Sequence, residues 1–172
     1  DNAYFDRLRG THFRFARDAL QIAEAQRPDW ARWRAIGLGM APWQRGRHVV
    51  VVEQSSHHLR LSGGGEAWLG GTLTRLASLT DRPIRVRRWN RDKGGAASSL
   101  AADLKDAHAL VTHTSAAANE ALLAGVPVFV TGPCAASPLA SGSLEGIESP
   151  RYPDGREAWA AGLANSQWPL EE

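Results

Sequence analysis

The apolar positions of this chain fall into four short runs, separated by polar turns and amphipathic stretches. Arg47 to Glu53 reads RHVVVVE, and four consecutive valines predict a strand buried on both faces, as in a parallel sheet. Pro83 to Trp89 reads PIRVRRW. There Arg85 and Arg87 alternate with Ile84 and Val86, the pattern of a strand near a sheet edge. Ala109 to Thr112 and Val126 to Val130 are two further buried runs. Between them, Ala116 to Ala124 consists of good helix formers and closes on Gly125. Strand, polar turn (His113, Thr114, Ser115), helix and strand make a βαβ unit with a right-handed crossover. Leu69, Leu73, Leu76 and Leu79 predict a helix over Ala67 to Leu79, and Leu100 and Leu104 another over Ser99 to Ala107. Gln54 to Gly65 reads as a polar, glycine-rich loop.

The flanks are read by the same periodicity. Asn2 to Arg47 is predicted helical, since Leu8, Phe13, Phe15, Ala19, Leu20, Ile22 and Ala23 lie roughly at helical spacing. Pro28 interrupts, and Asp29 to Trp33 starts a second short helix. Trp30, Trp33 and Trp43 are expected as packing anchors. Arg156 to Gln167 predicts a closing amphipathic helix. The pattern gives an α/β fold: a Rossmann-like doubly wound parallel sheet of four to six strands flanked by helices. Residues 1–46 form its N-terminal helical segment and 47–172 the Rossmann-like domain. A fifth strand is expected near Gly142 to Tyr152 or is absent.

Composition narrows the function. The chain has 172 residues, 43% of them hydrophobic, which suits one sizeable core. Its apolar runs are too short for a transmembrane segment. A single cysteine, Cys134, excludes an internal disulfide and a cysteine-rich metal site, and no metal is expected. A cytoplasmic location is the expectation. Net charge is only +2, yet Arg82, Arg85, Arg87, Arg88, Arg91 and Lys93 crowd one stretch. That cluster suits an anionic ligand better than a nucleic acid, and equally a solvated basic edge.

All four predicted strands end in polar residues: Gln54, Ser55 and His57; Asn90, Arg91 and Lys93; His113 and Ser115; Gly132 and Cys134. In an open parallel sheet these ends converge on one crevice, where a phosphate meets backbone N–H groups. Gly63-Gly64-Gly65 fits either a loop approaching phosphate or a plain surface loop. Glu120 sits among alanines and leucines and reads as a buried carboxylate, or as a helix-forming residue on a wet face. Histidine titrates near neutrality, so His57 or His58 suits a catalytic base, and a surface pair is the plainer reading.

The stretch HTSAAANEALLAGVPVFVTG resembles the motif S-(T/S)-x-x-x-E-A-L-x-x-G-x-P-V of the C-terminal, donor-binding domain of GT-B glycosyltransferases. The nearest likeness is to the capsule-polysaccharide and Kdo-transferase-like group. The order RVRRWNRDK, SSLAADLKDA, ALVTHTS, NEALLAGVPVFVTG follows that family over roughly Val49 to Pro138. The resemblance implies a nucleotide-activated sugar as donor substrate, a CMP-linked one among the candidates, with no separate cofactor and a glycan acceptor, in surface or capsular polysaccharide synthesis. It implies that Glu120 binds the ribose, that Thr114 and Ser115 hold the donor phosphate, and that His113 meets phosphate or a sugar carboxylate. Arg91 and Lys93 fall in the family's basic donor segment. The chain departs from the family in having room for one Rossmann-like domain, without the acceptor half. A non-catalytic nucleotide-sugar-binding or scaffolding domain is therefore the alternative, and pairing with a second copy would form a cleft. A hydrolase using Ser115 or Cys134 is a third reading, unsupported by any G-x-S-x-G elbow.

Overall fold

The computed structural model describes residues 4–5, 12–89 and 99–169. Four parallel strands form the central sheet: β2 (His48–Val52), β3 (Ile84–Arg87), β4 (Ala107–Thr112) and β5 (Val128–Val130), in the order β3-β2-β4-β5. The strands β2, β4 and β5 are buried along their whole length, as their uniform apolar runs require, whereas β3 is half exposed at the edge. Helices cover the sheet: α2 (Ser56–Leu61) and α3 (Trp68–Ala77) connect β2 to β3, α4 (Leu100–Leu104) precedes β4, and α5 (Ala117–Leu123) links β4 to β5. This is the α/β, Rossmann-like arrangement expected from the apolar pattern. No fifth strand extends the sheet among the described residues; a single bridge joins Phe129 to Ser141. Leu144–Gly146 is a short 3-10 turn.

Two apolar layers flank the sheet. On one side Val50, Val52, Leu110, Val128 and Val130 pack with Ala118, Ala121 and Leu122 of α5. On the other, Val49, Val51, Ala109, Val111 and Phe129 pack with Leu59, Trp68, Leu69 and Leu76. Gly125 closes α5 in the left-handed region, at φ +75. A Cβ there would collide with the Pro42 carbonyl, so this glycine serves both the left-handed turn and a close backbone approach. Gln44 N donates to the Gly125 carbonyl and Ala41 N to that of Leu123, tying the chain before β2 to the end of α5.

The N-terminal segment departs from expectation. Helix α1 (Trp30–Ile36) forms where the second short helix was read, capped by Asp29, whose carboxylate accepts from Arg32 N at 2.9 Å. Residues 12–28, predicted helical, are instead a strand, β1 (His12–Arg14), followed by bends and irregular backbone. The reason lies at the other terminus. α6 (Arg156–Ala164) ends three residues before Gln167, and Gln167–Pro169 forms β6, which pairs antiparallel with β1. The predicted closing helix is correspondingly shorter. Phe13 and Phe15, two positions apart, follow strand alternation; Phe13 is half-buried and Phe15 is 60% exposed. Tyr4 and Phe5 enter the core, where Phe5 meets Trp159 edge-on at 5.7 Å and Trp33 at 5.5 Å. Of the three tryptophans read as anchors, Trp33 is buried, Trp43 is half-buried beneath the Arg156 guanidinium, and Trp30 is exposed.

Candidate functional site

The strand order reverses between β2 and β4, because the chain moves outward from β2 to β3 and then returns to the other side of β2. Ligand crevices of open α/β sheets lie at the carboxyl ends of the strands at such a point. Here the two strand ends are joined by side chains. Gln54, just past β2, accepts from Thr114 N at 2.8 Å through Oε1 and donates from Nε2 to Thr114 Oγ1 at 3.2 Å. His58 Nε2 lies 3.0 Å from the same hydroxyl. Thr114 Oγ1 therefore sits between two side-chain nitrogens, Gln54 Nε2 and His58 Nε2.

The residues carrying His57 and His58 were read as loop and form α2 instead. Ser55 caps it, its hydroxyl accepting from His58 N at 3.2 Å, which fixes the helix start that apolar periodicity alone did not reveal. The pair separates on this helix: His57 is exposed, and His58 turns half-buried toward Thr114. Burial pushes the His58 imidazole below its ordinary titration range, and the charges of Arg14, His113 and His57 push the same way. Arg14, on β1, was not read as part of any site.

His113 is enclosed. Trp68 Nε1 donates to Thr131 Oγ1 at 2.7 Å, Thr131 Oγ1 lies 2.9 Å from His113 Nδ1, and His113 Nε2 lies 3.0 Å from the Ser62 carbonyl. The indole can only donate and the carbonyl can only accept. Nε2–H therefore donates to the Ser62 carbonyl, and in the neutral imidazole Nδ1 accepts from Thr131 O–H. The imidazole is 4% exposed, with both nitrogens occupied. Two glycines press on its ring: a Cβ at Gly64 would stand 2.8 Å from Cδ2, and one at Gly132 2.5 Å from Cε1. The glycine-rich loop thus approaches an imidazole. Its N–H groups are also consumed, Gly63 N by the Arg60 carbonyl and Gly64 and Gly65 N by that of Leu59, as the end of α2.

The other candidates separate by access. Thr114 is 3% exposed and its hydroxyl is shared between Gln54 and His58. Ser115 is half-buried at the head of α5, its Oγ accepting from Ala117 N at 3.2 Å. Glu120, read as buried, is exposed in the first turn of α5. Its neighbours Asn119 and Ala121 take the buried face instead, Asn119 donating to the Tyr4 carbonyl at 3.2 Å. One turn of helix has one inward face, and alanines and an asparagine fill it here. Arg91 and Lys93 lie outside the described residues. Much of the basic stretch before them is neutralised: Arg82 pairs with Glu148, Arg87 with Asp103 at 2.6 Å, and Arg88 with Glu53 at 3.5 Å. Cys134 is buried, and burial raises its thiol above the ordinary range, which opposes a nucleophile.

The sequence reading missed Gln21. This side chain, 5% exposed, donates from Nε2 to the Thr114 carbonyl at 2.6 Å and accepts from Ala135 N at 3.3 Å. It joins the turn after β4 to the loop after β5. The local pattern gave no signal for it, since both partners are remote in sequence. Among the described residues no group of histidine, cysteine or carboxylate side chains could hold a metal ion, and no helix is long and apolar enough to cross a membrane. The chain matches no protein-family model and, with significance, no curated protein.

Proposed function

We propose that this chain is a donor-binding domain of the GT-B glycosyltransferase kind, holding a nucleotide-activated sugar at the carboxyl edge of its parallel sheet. The observation that carries this reading is the placement of Ser115 and Glu120. Both belong to the β4–α5–β5 unit, at the strand-order reversal, and both reach the surface: Ser115 at the head of α5, Glu120 in its first turn. A carboxylate that accepts ribose hydroxyls must be reachable from solvent, so the exposure of Glu120 favours the role that burial would have denied it. Ser115 then stands on the donor phosphate side. Of the two α2 histidines, His58 is the one held toward its neutral form.

The enclosed state of His113 and Thr114 shifts their roles. Their hydrogen bonds are spent inside the protein, so they shape the crevice floor and leave ligand contact to Ser115, Glu120 and the α2 histidines. The small number of solvent-reachable groups favours binding over transfer, and with it the reading of a nucleotide-sugar-binding domain. A thermal-shift panel of CMP, UDP, GDP and ADP tests the proposal. At least one nucleotide is expected to raise the melting temperature, and Glu120→Ala to abolish most of that rise. No response to any of the four sinks the nucleotide reading.

A further inference from the structure

The segment between β1 and α1 crosses the carboxyl ends of β4 and β5. Both of its ends are tied down: Phe15 N donates to the Ser166 carbonyl at 2.9 Å, and Asp29 N to that of Ala161 at 3.0 Å. Near the second tie, Gly162 admits the chain closely, since a Cβ there would stand 2.6 Å from the Gln26 carbonyl oxygen. Between the ties the backbone has no regular structure. Residues 17–20 are exposed, and Asp18 adopts a left-handed φ of +56. Phe15 and Leu20 leave their side chains largely in solvent, at 60% and 48% exposure. The middle of the segment is held to the body by hydrogen bonds and by Ile22, which packs half-buried against the core. Gln21 bridges the Thr114 carbonyl and Ala135 N, and Ile22 N donates to the Tyr4 hydroxyl at 2.7 Å.

We propose that residues 15–26 are a strap across the strand-end crevice, and that Gln21 is its latch, so that release of Gln21 from Thr114 and Ala135 opens the crevice to a ligand. The geometry suits a latch. Thr114 is at once the anchor of Gln21, through its carbonyl, and the partner of Gln54 and His58, through its hydroxyl and N–H. Lifting Gln21 uncovers the turn that leads directly into Ser115. A latch made of two hydrogen bonds on a segment without regular structure opens locally without unfolding the sheet. The gating role rests on the nucleotide reading above; the latch itself does not.

Limited trypsin digestion of the full chain separates the two. Arg17 lies in the exposed part of the strap, whereas Arg47, whose side chain is 86% exposed, precedes buried β2 and reports unfolding of the body. Cleavage of a transiently opened segment follows the population of its open form. Loss of both Gln21 hydrogen bonds should raise that population about 10-fold, so Gln21→Ala is expected to cut after Arg17 about 10-fold faster with the Arg47 cut unchanged. Gln21→Glu keeps the shape and the acceptor for Ala135 N but loses the donor to Thr114, and should show an intermediate rise. Equal Arg17 rates in wild type and both variants overturn the latch. Should Gln21→Ala speed both cuts together, Gln21→Glu decides, and an unchanged Arg17-to-Arg47 ratio in it overturns the latch as well. The gate is read with CMP, UDP, GDP and ADP: a nucleotide that binds should bind Gln21→Ala several-fold more tightly than wild type, and equal or weaker binding overturns the gate. Failure of every nucleotide to bind either protein overturns the donor reading and the gate with it, while the ligand-free cleavage rates still decide the latch.

Discussion

In the β4–α5–β5 unit and in the strap before α1, order arises over different distances along the chain. His113 and Thr131, which fix the first, are 18 positions apart; Gln21 reaches across 93 positions to Thr114 and 114 to Ala135, and Phe5 across 162 to Gln167. The first region carries its own instructions: apolar runs for two strands, helix formers between them, and a glycine for the left-handed turn. The second holds irregular backbone against a finished surface, with contacts whose partners come late in the chain. The candidate crevice needs both, since one supplies its floor and the other lies over it.

The largest expected effect falls in the N-terminal residues that precede the second region. Phe5 is 1% exposed between Trp33 and Trp159, and Phe5→Ala should cost about 3–5 kcal/mol of stability, as for other buried aromatics. Denaturant unfolding would check this, and a loss below about 1 kcal/mol would mean that the N-terminal residues are not part of the core.

That division explains what could be read in advance. The four strands, the α5 helix and its terminal glycine were legible because burial on both faces and helix closure are local properties of sequence. Among the described residues, the helix read over 12–27 was wrong because β1 exists by pairing with β6, a partner that local periodicity does not show. Within the site, Ser115 and Glu120 were legible as positions. The direction of Glu120 was not, since the competing inward residues Asn119 and Ala121 are distinguished by their contacts with Tyr4 and the core. The role of the glycine-rich loop was hidden because the group it admits, His113, is 49 residues beyond Gly64, by the difference of their numbers.

A smaller effect sharpens the first region. In Gly132→Ala the new methyl would meet both the His113 ring and Thr114 Cγ2, neither of which has room to yield. A loss of about 1–3 kcal/mol is expected from such overpacking. Gly142→Ala, with open space around it, serves as the control and should be close to neutral. Equal losses in the two variants would contradict the packing assigned to His113.

The smallest effect is electrostatic and falls where the two regions meet. Burial, then Arg14 from β1, His113 from the turn after β4 and His57 from its own helix, all hold His58 below its ordinary titration range. The folded state therefore binds a proton at His58 less readily than the unfolded state. Its contribution to stability is complete above pH of about 6.5 and is lost as pH falls through the lower folded value. His58→Gln should flatten the decline in melting temperature between about pH 7 and pH 5, and an unchanged decline would remove His58 from the account.

The most direct test of the nucleotide reading is a titration calorimetry cycle at Glu120. The nucleotide that most stabilises the chain and its 2′,3′-dideoxy form would each be titrated into wild type and Glu120→Ala. If Glu120 accepts the ribose hydroxyls, loss of either partner should weaken binding by roughly 10-fold or more, and loss of both should cost little beyond loss of one. A dideoxy penalty of the same size in Glu120→Ala as in wild type, or no penalty in either, would contradict the account.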